Sequence, residues 1–292
     1  LTVFYSHAFL IPITIGIRKA LIHIDPTNSN INTMKIPFYK YQGTGNDFVL
    51  IDNRALGIPK TATNLVNRLC DRRFGIGADG LILLQNREGF DFEMVYFNSD
   101  GNESTMCGNG GRCIVAFARQ LGIIDSECHF LATDGPHEAR INKDNWVELK
   151  MINVPTIEQG EDYYLLNTGS PHYVVFVEDI DDINVVENGQ AIRYSDRFRK
   201  EGVNVNFVEQ QSDKILVATY ERGVEGETLS CGTGVVASAI SYALRHPDSR
   251  QVDIQTKGGT LAVRMQPSEK KGFKDIWLCG KGELVFVGEV LV

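Results

Sequence analysis

The 292-residue chain has no surplus of positive charge: 29 Lys and Arg stand against 37 Asp and Glu, a net charge of −8. The basic footprint that a phosphate backbone requires is missing, which argues against a nucleic-acid partner. Long apolar runs are missing too. The most apolar stretch, 8–17, is broken by Pro12 and is too short for a membrane span. Cysteine is sparse, six residues in all, far below the density of disulfide-stapled scaffolds. Reduced thiols in a cytoplasmic enzyme are the expectation. Hydrophobic residues make up 43% and charged residues 23%, a globular composition that excludes a disordered or low-complexity chain. The length suits two domains of ordinary size.

Residues 1–33 read as an N-terminal extension outside the fold. The chain opens on Leu1, and Arg18 and Lys19 follow the apolar stretch, where a secretory signal would place them before it. No small-residue cleavage site stands out, so a signal peptide is only a weak alternative to an upstream start. Residues 26–32 read as a polar linker. Met34 then directly precedes the first alternating segment, 36–41.

Short runs rich in Val, Ile, Phe and Tyr recur at 48–51, 81–84, 94–97, 146–149, 173–177, 215–220, 260–263 and 284–287. Gly, Asn and Asp bound them, the signature of strands. Helical spacing is rarer. It occurs at 63–70 (Leu65, Leu69, Cys70), 112–121 (Ile114, Phe117, Ala118, Leu121) and 235–244 (Val236, Ile240, Ala243, Leu244). The fold class is α+β.

The chain repeats itself at an offset of 124. Thr44-Gly45 falls on Thr168-Gly169, Tyr96 on Tyr220, Glu103 on Glu227, Cys107 on Cys231, Gly108 on Gly232 and Gly110 on Gly234. Five identities in the fifteen positions 96–110 exceed the roughly one expected from average usage. Each copy reads strand, Gly-rich loop, Cys-Gly-x-Gly, apolar helix. Two homologous halves are implied, 34–150 and 151–280, joined and hinged near 150–155, with the last strand, 281–292, packing on the first half.

Each repeated cysteine sits where a loop becomes a helix. Free backbone N–H groups and the helix dipole there lower a thiol pKa and bind an anion such as a carboxylate. Two such sites facing each other across a cleft put a thiol on each face of a carboxylate-bearing carbon. That geometry suits removal of a proton from one face and its return on the other. Three other readings stay open: a small buried cysteine at a tight turn, a metal ligand pair Cys107/Cys113, for which the spacing is poor, and a Cys107–Cys231 disulfide. Cys70, Cys113, Cys128 and Cys279 lack the glycine context and read as structural.

Six ordered motifs, spread from about Met34 to the C-terminus, resemble those of the diaminopimelate epimerase family. They are Gly43-Thr44-Gly45-Asn46-Asp47-Phe48, Arg73-Phe74-Gly75-Ile76-Gly77-Ala78-Asp79-Gly80, Phe97-Asn98-Ser99-Asp100-Gly101, Cys107-Gly108-Asn109-Gly110-Gly111-Arg112-Cys113, Gly169-Ser170-Pro171-His172, and Glu221-Arg222-Gly223 with Cys231-Gly232-Thr233-Gly234. The resemblance implies a cofactor-free epimerase that interconverts LL- and meso-2,6-diaminopimelate for lysine and cell-wall synthesis. It implies two pseudo-symmetric domains, each a mixed sheet wrapped round a central helix, usually in a homodimer, with no metal. Carried over by position, Cys107 is the proton donor and Cys231 the acceptor, with roles exchanged in the reverse direction. His172 and Glu221 tune the thiols. Gly108, Asn109, Gly232 and Thr233 hold the reacting carboxylate, and Asn46, Asn98, Ser170, Asn204, Glu221 and Arg222 bind the rest of the substrate. Taken singly, His172 reads as a packed core histidine and the asparagines as turn-formers.

The chain departs from the family pattern at Ser170, where many relatives carry Asn, and at Gly80, where some carry Gln. The segment 221–231 reads as one residue longer, with Glu225 as the insertion. A proline or hydroxyproline racemase of the same two-thiol fold is the nearest alternative, and a non-catalytic anion-binding member of the fold is another. Without a cofactor, the charge of the carbanion must be held by preorganised N–H donors in a closed, water-free site.

Overall fold

The computed structural model describes residues 34–269 and 272–292. The readings made for 1–33 lie outside the described residues. In the first half, β1 (Lys35–Gly43) and β2 (Asn46–Asp52) form a hairpin. Its two central residues, Thr44 and Gly45, both have positive φ, 49° and 84°, as a tight turn matched to strand twist requires. Then follow α1 (Thr63–Cys70), β3 (Gly80–Gln85), β4 (Phe92–Asn98), β5 (Glu103–Ser104), α2 (Gly108–Gln120), β6 (Glu127–Ala132), β7 (Gly135–Ile141) and β8 (Trp146–Lys150). β2 and β3 are parallel, β3–β4 and β4–β5 antiparallel, β4–β6 parallel, and β6–β7 and β7–β8 antiparallel.

The second half contains β9 (Ile157–Gln159), β10 (Tyr163–Asn167), β11 (Pro171–Val177), α3 (Val185–Arg193), β12 (Asn204–Gln210), β13 (Ile215–Glu221), β14 (Gly226–Thr228), α4 (Gly232–Arg245), β15 (Gln251–Thr256), β16 (Gly259–Pro267), β17 (Phe273–Lys281) and β18 (Glu283–Leu291). From β10 to β17 the succession of parallel and antiparallel pairings repeats that of β1 to β8. The expected duplication is therefore a duplication of topology. The halves also exchange edges. β9 follows β8 yet pairs with β10, while β18 follows β17 and pairs with β1. β8 and β17 pair antiparallel. The segment between the halves is tied down: Met151 N–H donates to the Ile276 carbonyl at 2.8 Å, and Val154 bridges Phe273 in both directions.

The strand runs read from the sequence fall in β2, β3, β4, β8, β11, β13, β16 and β18, and the helical runs in α1, α2 and α4. Two differences have physical causes. α2 and α4 begin four and three residues earlier than the apolar spacing shows, because the glycines of both motifs lie in the first helical turn. The Tyr96/Tyr220 identity is not a structural equivalence. Tyr96 lies opposite Ile82, whereas Thr219, not Tyr220, lies opposite Asn206. Tyr96 packs in the main core and Tyr220 in the smaller cluster beneath α3. The β-strand period of two turns a one-residue difference in loop length into a change of face.

α2 and α4 are buried along most of their length, each enclosed by the strands of its own half of the continuous sheet. Ile114, Val115 and Phe117 of α2 and Val235, Val236 and Ile240 of α4 are fully buried. Phe117 anchors α2, its ring centroid 4.8 Å from that of Tyr39 and 5.9 Å from that of Tyr41. Phe117→Ala removes that anchor and is expected to cost about 3–5 kcal/mol. Urea unfolding should show a lower midpoint with an unchanged slope, and a loss below about 1 kcal/mol would contradict this account of the core.

Candidate active site

Cys107 and Cys231 are the N-cap residues of α2 and α4, extended at φ −97°, ψ 132° and φ −112°, ψ 113°. No side chain caps either helix, so the first-turn N–H groups point at the two thiols and the space between them. The two helices meet at these ends. A Cβ built on Gly108 would stand 3.7 Å from the Gly232 Cα and 3.0 Å from the Leu278 Cδ2; a Cβ on Gly232 would meet the same Leu278 atom at 3.0 Å. Glycine at both positions leaves room for Leu278 where the two positive helix ends meet.

Around Cys107, the thiol Sγ donates to Asn46 Oδ1 at 3.7 Å, and Asn109 Nδ2 donates to the same oxygen at 3.3 Å. Asn46 is held from behind: its Nδ2 donates to Asp79 Oδ2 at 2.6 Å. Asp79 in turn shares Arg72 with Asp47, and Lys40 pairs with Asp47 at 2.7 Å. These cations hold the Asp47 carboxyl well below its usual range, although burial opposes them. Arg112 was not expected in the site, yet it is fully buried. Its guanidinium donates to Thr44 Oγ1 at 3.0 Å, Asn109 Oδ1 at 3.1 Å and the Gly108 carbonyl at 3.3 Å. It therefore braces the N-terminal end of α2. Its place in the motif was legible, but its burial was not.

Around Cys231, the Thr233 hydroxyl lies 3.4 Å from Sγ. His172 Nε2 lies 2.9 Å from Thr233 Oγ1 and 2.9 Å from Ser170 Oγ. Asn204 Nδ2 donates to Ser170 Oγ at 3.0 Å, and the Arg222 backbone N–H donates to Asn204 Oδ1 at 2.8 Å. Ser170 thus faces the histidine and threonine. The Arg222 guanidinium is exposed, donates to the Glu201 carbonyl at 2.7 Å, and has no carboxylate partner among the described residues. Glu221 ends β13, and its carboxyl is raised by burial, with the Thr228 hydroxyl opposing. Asn98 lies exposed at the end of β4, and its side chain joins none of these hydrogen bonds. Gly80 has no room for a side chain, since a Cβ would strike the Tyr96 ring and the Phe97 carbonyl. Glu225 sits at φ 56° and accepts from the Tyr194 and Tyr220 hydroxyls, both at 2.9 Å, which fixes the path of its loop.

The thiols correct one expectation. The N–H groups of Asn109 and Gly110 at Cys107, and of Gly234 at Cys231, do act to lower the pKa. Burial outweighs them. It raises the Cys107 thiol and pushes Cys231 up to about 12, with the Glu221 carboxylate adding in the same direction at both. All six cysteines are free thiols. The other four are buried, and burial raises each, Cys70 and Cys128 to about 12 and Cys279 to about 11. Among the described residues, no group of three or more His, Cys, Asp and Glu side chains is placed to hold a metal ion.

The duplicated sheet-and-helix architecture recurs in solved structures. A PhzF-family phenazine biosynthesis protein from Bacillus anthracis superposes with a TM-score of 0.71 at 14% identity, over 89% of this chain and all of that one. A hydroxyproline epimerase from Agrobacterium vitis gives 0.62 at 14% identity, over 88% and 93%. At such identities the likeness establishes the fold. Sequence narrows it further. The family model described as diaminopimelate epimerase matches twice, over residues 38–156 and 164–285. The diaminopimelate epimerase of Flavobacterium psychrophilum is 52% identical over 250 residues, covering 85% of this chain and 97% of its own. That of Aquifex aeolicus is 39% identical over 275 residues, covering 87% and 97%. The chain belongs to the diaminopimelate epimerase family.

His172 is fully buried, and burial, helped by the Arg222 charge, pushes its pKa down to about 3. The folded state therefore prefers the neutral ring. Its contribution to stability is complete above the unfolded value of about 6.5 and falls by up to about 1.4 kcal/mol per pH unit between there and about 3. The stability gap between the wild type and His172→Gln should narrow over that window. Parallel stability–pH curves would contradict the assignment.

Proposed function

We propose that the chain epimerises LL-2,6-diaminopimelate to the meso form by a two-base thiol mechanism, a step toward lysine and peptidoglycan precursors in the cytoplasm. The observation that carries this reading is the pair of cysteine-capped helix ends meeting at Gly108 and Gly232. The reacting carboxylate sits on the free N–H groups of Gly108, Asn109, Gly232 and Thr233. Its ammonium pairs with Glu221. That pairing neutralises the carboxylate that raises both thiols.

Cys231, as thiolate, takes the α-proton. The electron pair left on carbon spreads into the carboxylate, where the helix-end N–H donors hold the charge, so the scheme needs no cofactor. Cys107 then gives its S–H proton to the opposite face of the carbon. Cys231 ends as thiol and Cys107 as thiolate, the state that runs the reverse reaction. Burial makes each thiolate costly to form and correspondingly basic, which suits a weakly acidic C–H. Asn46, Asn98, Ser170, Asn204 and Arg222 bind the far amino-acid end, where a free guanidinium matches a second carboxylate.

Cys107→Ala and Cys231→Ala should each abolish epimerisation, and near-normal turnover by either would sink the two-base scheme. Mild oxidation should inactivate the enzyme and dithiothreitol restore it. Tested in deuterium oxide with diaminopimelate, proline and hydroxyproline, α-hydrogen exchange should be confined to the first. Exchange with proline instead would assign the chain to the racemase alternative.

The second part of the reading is a homodimer built on β18. Leu284, Val285, Phe286, Val287 and Leu291 are 44–56% exposed on a strand whose only partner among the described residues is β1. Such an apolar edge needs a cover. Light scattering should give twice the chain mass, and Val285→Lys with Val287→Lys should give monomer. A wild-type monomer at micromolar concentration would contradict this surface assignment. Among the described residues no helix is long and apolar enough to cross a membrane.

A further inference from the structure

Behind Cys231 lies a buried polar cluster that the proton transfers do not themselves require. Asn206 is fully buried on β12. Its Nδ2 donates to the Tyr173 carbonyl at 3.1 Å and lies 3.1 Å from His172 Nδ1, while the Thr219 hydroxyl donates to its Oδ1 at 3.0 Å. A backbone carbonyl only accepts, so turning the amide round would set two acceptors against each other. Nδ2 therefore faces His172 Nδ1, which must accept. A neutral imidazole has one N–H, and that leaves it on Nε2. Nε2 reaches Ser170 Oγ and Thr233 Oγ1, both at 2.9 Å. Asn204 Nδ2 also lies 3.4 Å from Nε2, but its shorter bond, 3.0 Å, is to Ser170 Oγ. Ser170 Oγ, which already accepts from Asn204 Nδ2 and from Nε2–H, turns its own proton to Thr233 Oγ1, 3.2 Å away, and that leaves the Thr233 proton for Cys231 Sγ, 3.4 Å away.

The other half shows that the fold does not need this polarity. His172 pairs with Asn204 across β11 and β12 as Phe48 pairs with Gly80 across β2 and β3. His172 and Asn206 thus occupy the places of Phe48 and Ile82, which are fully buried hydrocarbon. Gly234 rests against Asn206, His172 and Thr219 as Gly110 rests against Ile82, Met94 and Phe48. Packed apolar side chains usually stabilise such a slot as well as a buried polar network does.

We propose that Asn206 is a positioning residue that fixes His172 in its Nε2–H tautomer, so that the Thr233 hydroxyl donates to Cys231. On the opposite side Asp79, an acceptor only, turns the Asn46 amide so that its oxygen faces Cys107. The two thiols therefore meet opposite polarity. A donor supports the thiolate at Cys231, and an acceptor supports the S–H at Cys107. The inference rests on the reading of Cys231 as the proton-accepting thiol.

The test is nitrogen NMR of the whole labelled chain at neutral pH, with the His172 signals identified by their loss in His172→Gln. The expected ring is neutral and protonated on Nε2; an Nδ1–H ring or an imidazolium overturns the proposal. Asn206→Asp replaces the donor by an acceptor. It should place a proton on Nδ1 and lower kcat ~100-fold with little change in KM. Asn206→Ile, which copies Ile82, covers the case in which the aspartate does not fold. It should fold with a lowered melting temperature, since the Thr219 hydroxyl and the Tyr173 carbonyl lose a partner, and lose kcat to a similar extent. Wild-type kcat in either folded variant overturns the proposal. An Nε2–H ring in a chain inactive on diaminopimelate supports this proton placement and overturns the functional reading; an Nδ1–H ring in an active enzyme does the reverse.

Discussion

The near-contact of two helix N-termini is the constraint on which the site depends. Gly108 and Gly232 face each other at van der Waals distance, and a methyl group on either would press on Leu278. Each glycine costs its helix about 1 kcal/mol relative to alanine, and two positive dipole ends facing each other repel. No side chain caps either helix, and an anion between the ends relieves the repulsion. The duplicated topology supplies the approach: each half of the continuous sheet encloses its own helix, and β17, which carries Leu278, joins the halves by pairing with both β16 and β8.

Given that approach, burial decides the chemistry of the thiols. Helix ends taken alone predict acidic cysteines. In the folded chain desolvation dominates, and the thiols are raised. The substrate's own charges therefore belong to the mechanism. In the proposed reaction its ammonium cancels Glu221 and its carboxylate occupies the helix ends, which would make binding and thiol activation one event. Duplication gives the two sides the same frame, and the side chains then break the symmetry. Arg112 lies buried beneath the first helix end where the second has Val236, while His172 and Asn206 lie beneath the second where the first has Phe48 and Ile82.

Much of this was legible in the sequence because it is written in short local patterns. Alternating Val, Ile and Phe marked eight strands, and repeated Cys-Gly-x-Gly marked both helix ends. α3 was not read, although Asn184 accepts from the Glu187 N–H as its cap. Its apolar spacing is weak, and its interior Gly189, which speaks against a helix, is there because a side chain would strike Tyr220. The face of Tyr220, the burial of Arg112 and the part played by Asn206 were not legible. Each depends on register between strands distant in sequence. Asn206 lies two residues from Asn204, and only the parallel pairing of β11 with β12 brings it under His172.

The central claim is that one thiol takes the proton and the other returns a different one. It is tested most directly by running the reaction from LL-diaminopimelate in deuterium oxide and analysing both stereoisomers at low conversion. The account predicts α-deuterium in the meso product and essentially none in the recovered LL substrate. Equal deuterium in both at low conversion would mean that a single group serves both faces, and would contradict it.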